Sequence, residues 1–109
     1  MAGLVLQFYL AGAPIFGVRL SFAPHRMLGF ALTIAAILFL VLALVGRLGR
    51  KLISFSILLV SLTIVQAILP AFRVHAPWIA ALHPVNALAL MGITAAIRRN
   101  SRAETIQTN

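Results

Sequence analysis

Two histidines, each at the start of an apolar stretch, have the residue type and spacing to bind a cofactor. His25 precedes the stretch that begins at Met27, and His83 begins the string His-Pro-Val-Asn-Ala in the last stretch. A haem iron takes two axial ligands, and the nitrogen of a neutral imidazole is a common one. His25 and His83 on facing helices therefore predict a b-type haem between two imidazoles, with electron transfer as its use.

Further residues fit the surroundings of such a haem. The apolar stretches contain few uncharged polar side chains that could line the pocket, namely Gln7, Gln66 and Asn86. Gly29, one helical turn after His25, leaves room for the porphyrin. Three arginines are expected at the same end as the histidines: Arg19, Arg26 and Arg73. A guanidinium pairs well with a carboxylate, so these arginines, Arg26 in particular, predict contacts with the haem propionates.

A count of residues opposes this interpretation. At 1.5 Å per residue, His25 lies roughly 33 Å above Arg47, whereas His83 lies only roughly 22 Å above Arg98. An offset of roughly 10 Å would place the two histidines at different depths. His75, in the connection before Pro77, is an alternative ligand.

The same polar residues support a second hypothesis, in which they only hold helices together. Small residues let helices approach closely in a membrane, and Gln, Asn and His side chains form hydrogen bonds between them. Gln66 then pairs with His83, because the two lie at about equal depth on neighbouring helices. The protein would then be a non-catalytic accessory subunit of a larger membrane complex, without a cofactor.

The elements that must position these residues follow from composition. Of the 109 residues, 62% are hydrophobic and 9% are charged, and the mean hydropathy is +1.09. Such a chain is expected in a lipid bilayer and not in water. Backbone groups in hydrocarbon must pair within the chain, and the sequence lacks the alternating segments of a barrel. We predict an all-α, antiparallel up-down bundle of four transmembrane helices over residues 1–99, with spans at about 1–19, 24–46, 52–69 and 77–98.

The basic residues predict the orientation. Six of them fall on the side of the N-terminus: Arg47, Arg50, Lys51, Arg98, Arg99 and Arg102. Only three fall on the other side, so both termini are expected in the cytoplasm. The net charge of +8 is thus assigned to loops and not to nucleic acid. The expected partners are lipid and other membrane subunits, and the polar tail 100–109 is expected to be loosely ordered.

Other chemistry is excluded by what the sequence lacks. There is no cysteine, and the only acidic residue is Glu104 in the tail. Thiolate metal centres, cysteine-bound haem and carboxylate-coupled transport therefore have no ligands or proton carriers. No hydrolase motif is present, so we expect no independent catalytic activity.

Four helix faces are expected to point to the bundle axis, because their members recur at helical spacing. In the second and fourth spans the faces are His25, Gly29, Leu32, Ala36 and Ala43, and His83, Asn86, Leu90, Thr94 and Ile97. In the first and third spans they are Gly3, Gln7, Ala11 and Pro14, and Ser56, Thr63 and Gln66. The fourth helix is expected to begin at Pro77 and to kink at Pro84, which frees the Ala80 carbonyl for Asn86, water or a ligand. No internal repeat of convincing length is visible, although histidine-containing starts recur at the second and fourth spans.

Several of these strings together resemble a known family. They are Leu6-Gln7, Ala11-Gly12, His25, Leu28-Gly29, Gln66 and Leu82-His83-Pro84-Val85-Asn86-Ala87. The pattern resembles a family of small bacterial four-span proteins of unknown function, which brings no assigned activity. It is also similar, more weakly, to one half of haem A synthase, whose haem-binding histidines lie near the outer ends of its second and fourth helices. This chain lacks a glutamate near His25 and has one half only, so that resemblance implies haem binding or electron passage and not oxidation.

Overall fold

Helices account for all of the regular structure in the part of the chain that is described. A computed structural model gives the backbone of residues 1–107 and the side chains of residues 1–101. The elements in chain order are α1 (Ala2–Ile15), α2 (Ala23–Val45), α3 (Arg50–Ile68), a 3-10 helix (Leu69–Arg73), α4 (Pro77–Ala80) and α5 (Leu82–Gln107). The all-α fold class predicted from composition is confirmed over this range.

Three helical stretches are long and apolar enough to cross a membrane: Ala23–Val45, Arg50–Arg73 and Pro77–Ser101. Most of their large apolar side chains point outward, such as Met27, which is 72% exposed. This distribution, with apolar groups outside, suits a chain surrounded by lipid. Helix α1 is also apolar, but its 14 residues reach roughly 21 Å, which is short of the roughly 30 Å of a hydrocarbon core.

The core combines small residues with leucine and isoleucine, and in α2, α3 and α5 it follows the predicted faces. Ala43 and Ser56 are fully buried, and Leu90 is 3% exposed. The Ser56 hydroxyl donates to the Leu52 carbonyl within α3 at 2.7 Å, so it needs no partner on another helix. Helices α2 and α5 both pack against α3, and α1 packs against α2. The helical spacing therefore predicted the inward faces of α2, α3 and α5, whereas in α1 the buried residue is Ala13, which is not on the predicted face.

Left-handed residues end the first two helices. Helix α1 stops one residue after Pro14, and Gly17 follows with φ of +85°. The Val18 amide donates to the Ala13 carbonyl at 3.0 Å, which closes the helix end. After α2, Arg47 has φ of +49°, and the Leu48 amide donates to the Ala43 carbonyl at 3.0 Å. Arg47 thus occupies a position that favours glycine.

The fourth span differs from the prediction. It is interrupted at Ala81, between α4 and α5, and is not one helix kinked at Pro84. Pro84 is the third residue of α5, where a missing amide removes no helical hydrogen bond. A helix that starts afresh at Leu82 therefore accommodates Pro84 without a kink. Asn86, one of the partners considered for the Ala80 carbonyl, does not fill that role, since its side chain donates to the Leu62 carbonyl of α3.

The polar segment after Asn100 differs from the prediction as well. It was expected to be loosely ordered, but α5 continues to Gln107. The Asn100 amide donates to the Ala96 carbonyl at 2.7 Å and the Ser101 hydroxyl to the Ile97 carbonyl at 3.0 Å. No proline or glycine follows in this segment to stop the helix. Residues 108 and 109 lie outside the described residues.

Candidate functional site: a histidine pair between α2 and α5

The two imidazoles lie next to each other inside the bundle. The ring centroids of His25 and His83 are 6.1 Å apart, and the ring planes meet at 61°. The offset in depth that the residue count predicted is therefore wrong. It assumed that Arg47 and Arg98 mark equal depths, but α2 ends before Arg47 whereas α5 runs past Arg98 to Gln107.

Helix α1 fixes the imidazole of His25. His25 is in the first turn of α2, next to Pro24, and its Nδ1 lies 3.1 Å from the backbone carbonyl oxygen of Gln7. A carbonyl oxygen only accepts hydrogen bonds, so Nδ1 carries the hydrogen and donates it. In the neutral ring, Nε2 then has the lone pair. Within the described residues, nothing donates a hydrogen bond to this nitrogen.

Helix α3 fixes the imidazole of His83 in the same way. Its Nδ1 lies 3.1 Å from the backbone carbonyl oxygen of Gln66, so Nδ1 again is the donor. Pro70 stands four residues after Gln66 and has no amide hydrogen for that carbonyl. His83 supplies the missing donor, which is a reason for its position beside the end of α3.

A hydrogen-bond chain continues from His83 to Asn86. The Gln66 side-chain amide Nε2 lies 3.1 Å from Nε2 of His83, which must accept because an amide nitrogen only donates. Asn86 Nδ2 donates to Gln66 Oε1 at 2.6 Å and to the Leu62 carbonyl oxygen at 2.9 Å. The predicted pairing of Gln66 with His83 is confirmed. Both ring nitrogens of His83 are therefore engaged within the protein.

Gln7 and Gly29 lie together beside His25. A Cβ atom at Gly29 would come within 3.0 Å of Nε2 of Gln7, so the absence of a side chain makes room for this amide. Gln7 Oε1 is buried, and within the described part of the chain it has no hydrogen-bond partner. A buried acceptor without a donor is unfavourable. On the side of His25, the oxygen Oε1 of Gln7 therefore still lacks a hydrogen-bond donor.

The contacts show that the recurring histidines belong to a repeat whose glutamine partners were not recognised from the sequence. In both halves, a glutamine carbonyl on one helix accepts from the Nδ1 of a histidine 18 or 17 residues later, at the start of the following long helix. The first half uses Gln7 and His25, and the second uses Gln66 and His83. The signal in the sequence was the matching spacing of glutamine and histidine, since little else is similar between the halves.

The remaining predicted residues lie outside this cluster. Arg26 follows His25 in the first turn of α2 and is exposed. Three more candidates are exposed in the connections or in the 3-10 helix: Arg19, Arg73 and His75. Among the described residues, no group of three or more His, Cys, Asp or Glu lies close enough to hold a metal ion. His25 and His83 are two metal-ligating side chains that the fold brings together.

Comparison with known proteins gives one match. No curated protein and no solved structure matches the chain, so the resemblance to haem A synthase stays a prediction. Residues 7–72 match a family described as Family of unknown function (DUF6220). This range contains Gln7, His25, Gly29 and Gln66, whereas His83 lies beyond it. Since the match covers more than half of the sequence, the chain belongs to this family of unknown function.

Proposed function

We propose that the protein binds haem b within the membrane through His25 and His83 and passes electrons through it. The observation that carries this proposal is the shared state of the two imidazoles. Each donates Nδ1–H to a backbone carbonyl and thereby presents Nε2 as the lone-pair nitrogen. Histidine ligands of metals commonly show this arrangement, in which the second ring nitrogen donates to a carbonyl that fixes the tautomer.

The short distance between the rings supports a shared ligand. The ring centroids of His25 and His83 are 6.1 Å apart, so both imidazoles would hold the same haem iron. Gln66 lies on Nε2 of His83 and has to turn aside for that nitrogen to ligate.

A haem fits this pair better than a bare metal ion does. A porphyrin supplies four of the ligands itself and needs only two from the protein, whereas the described residues offer no third ligating side chain here. The space that Gly29 leaves is taken by the Gln7 amide, and Gln66 with Asn86 lies beside His83; these side chains would line the haem pocket. Arg26, together with Arg19 and Arg73, would pair with the haem propionates. Bound haem would supply one-electron chemistry.

We further propose that the bundle is an antiparallel four-span one in a bacterial inner membrane, with both termini in the cytoplasm. Contacts of Gly3 with Leu32 and of Gln7 with Gly29 support the relation of α1 to α2. The excess of arginine and lysine at the end of Arg47 and Arg98 supports the orientation. A reporter enzyme fused after Asn109 should behave as cytoplasmic, and periplasmic behaviour would invert the assignment of every loop.

The test of haem binding is spectroscopic. Protein expressed with a haem supply, or reconstituted with haemin after purification in detergent, should show a Soret band with about one haem per chain. His25→Ala and His83→Ala should each reduce haem retention, because each removes one ligand. His75→Ala is the matched control, since His75 is exposed outside the pair, and it should retain the haem. A colourless protein, or equal retention in all three variants, would refute the proposal.

A second candidate is a cofactor-free accessory subunit of a larger membrane complex, with other membrane subunits as partners. The observation that favours it is the hydrogen-bond network of His83, Gln66 and Asn86, in which both ring nitrogens of His83 already have hydrogen-bond partners within the protein. Such a network joins α3 to α5 without any ligand. Purification in a mild detergent distinguishes the two candidates: a colourless protein in stoichiometric association with larger membrane proteins supports the second.

A further inference from the structure

The two histidines differ at the nitrogen that would bind metal. Both donate Nδ1–H to a glutamine carbonyl at 3.1 Å. Nε2 of His83 also accepts from the Gln66 side chain at 3.1 Å, whereas no residue in the described part of the chain donates to Nε2 of His25. The side chain equivalent to Gln66 in the first half, Gln7, lies against Gly29 instead. Nε2 of His25 is therefore open, without a donor, whereas Nε2 of His83 is capped by the Gln66 side chain.

Asn86 holds the cap in place. Its amide nitrogen donates to Gln66 Oε1 at 2.6 Å and to the Leu62 carbonyl at 2.9 Å. With its oxygen engaged by Asn86, the Gln66 amide directs its nitrogen toward His83. His83 must lose the hydrogen bond from Gln66 before Nε2 can ligate, whereas His25 has no such bond to lose. A hydrogen bond between membrane helices shifts an equilibrium by about threefold to twentyfold.

We propose that His25 is the constant ligand of the site and His83 the exchangeable one, held back by Gln66. A small uncharged ligand such as carbon monoxide can then occupy the metal position that His83 leaves. This inference rests on the proposed haem binding. It adds a ligand-binding role to the proposed electron transfer, and it makes Gln66 a positioning residue that acts through His83.

The test compares the natural protein with Gln66→Leu. This variant removes the side-chain donor but keeps the backbone carbonyl that fixes Nδ1 of His83. In the reduced, haem-loaded protein, we expect Gln66→Leu to shift the spectrum toward the low-spin form with two histidine ligands. The affinity for carbon monoxide should fall by about threefold to twentyfold, because carbon monoxide must now displace an uncapped His83. Thr63→Val is the control, since Thr63 is buried on the same helix and donates only to the Val60 carbonyl.

A second measurement needs no haem. In protein labelled with ¹⁵N-histidine, His83→Ala identifies the Nε2 resonance of His83. This resonance should have the chemical shift of a lone-pair nitrogen that accepts a hydrogen bond, whereas the Nε2 resonance of His25 should have the chemical shift of a lone-pair nitrogen without one. Gln66→Leu should move the His83 resonance to the chemical shift of a nitrogen without a hydrogen bond. If the two Nε2 resonances are alike in the natural protein, the cap does not exist and the inference is overturned, whether or not haem binds.

The outcomes separate the inference from the proposal beneath it. If the natural protein and Gln66→Leu bind haem with the same spin state and the same affinity for carbon monoxide, His83 is not exchangeable and the inference is overturned. The proposal of haem binding then remains. Absence of haem from the natural protein refutes haem binding, and the inferred ligand site falls with it. A loss of affinity for carbon monoxide in Thr63→Val equal to that in Gln66→Leu would show a general packing effect and also overturn the inference.

Discussion

Asn86 is the residue whose removal should most weaken the contact between α3 and α5. Its side-chain amide donates to the Leu62 carbonyl at 2.9 Å and to Gln66 Oε1 at 2.6 Å. Asn86→Leu keeps a similar volume but removes both bonds and leaves Gln66 Oε1 without this donor. Hydrogen bonds between membrane helices average about 0.6 kcal/mol and reach about 1.7 kcal/mol. The loss of two predicts a decrease of about 1–3 kcal/mol in the free energy of unfolding.

The measurement is reversible unfolding of the purified protein in a mild detergent by titration with sodium dodecyl sulfate, followed by far-ultraviolet circular dichroism. Thr94→Val is the matched control, because Thr94 is on the same helix and its hydroxyl donates only to the Leu90 carbonyl in its own turn. This control should change the free energy of unfolding by less than about 0.5 kcal/mol. If Asn86→Leu is no less stable than Thr94→Val, the two bonds from Asn86 do not join the helices and the reasoning is wrong.

Two further predictions concern the helix ends, and the same unfolding assay measures both. Gly17→Ala should lower the free energy of unfolding by about 1 kcal/mol, because Gly17 has φ of +85° and a residue with a Cβ atom is strained there. An unchanged free energy of unfolding would mean that the turn after α1 relaxes without cost. Arg47→Gly should raise it by about 0.5 kcal/mol, since Arg47 has φ of +49° and glycine relieves that strain. A loss of stability in Arg47→Gly would mean that the basic side chain contributes more than the backbone.

The inward faces could be predicted because membrane helices bury small residues at regular spacing. Ala36, Ala43 and Ser56 recur at helical intervals among larger apolar residues, and they are buried. The partner of His83 could be predicted for a similar reason, since polar groups at equal depth on neighbouring helices seek each other in hydrocarbon. These inferences needed only periodicity and the scarcity of partners.

The details that failed depended on which backbone carbonyl lacks a donor. Pro84 was expected to leave the Ala80 carbonyl without a backbone donor, but a proline in the first turn of a helix removes no hydrogen bond of that helix. Pro70 leaves the Gln66 carbonyl without its helical donor, and Nδ1 of His83 lies 3.1 Å from that oxygen. Periodicity cannot distinguish these two prolines, because the outcome depends on where the helix begins. The depth comparison failed for a related reason, since α5 extends beyond Arg98.

The glutamine carbonyls of the two halves differ in their backbone donors, but this does not make the halves unequal at the histidines. Ala11, four residues after Gln7, has an amide hydrogen for the Gln7 carbonyl, whereas Pro70, four residues after Gln66, has none. Both carbonyls nevertheless lie 3.1 Å from a histidine Nδ1. The difference arises at Nε2, because the Gln66 side chain, whose oxygen accepts from Asn86, reaches Nε2 of His83 at 3.1 Å, whereas the Gln7 side chain lies against Gly29. The bond from Asn86 to Gln66 therefore accounts for the capping of one histidine and not of the other.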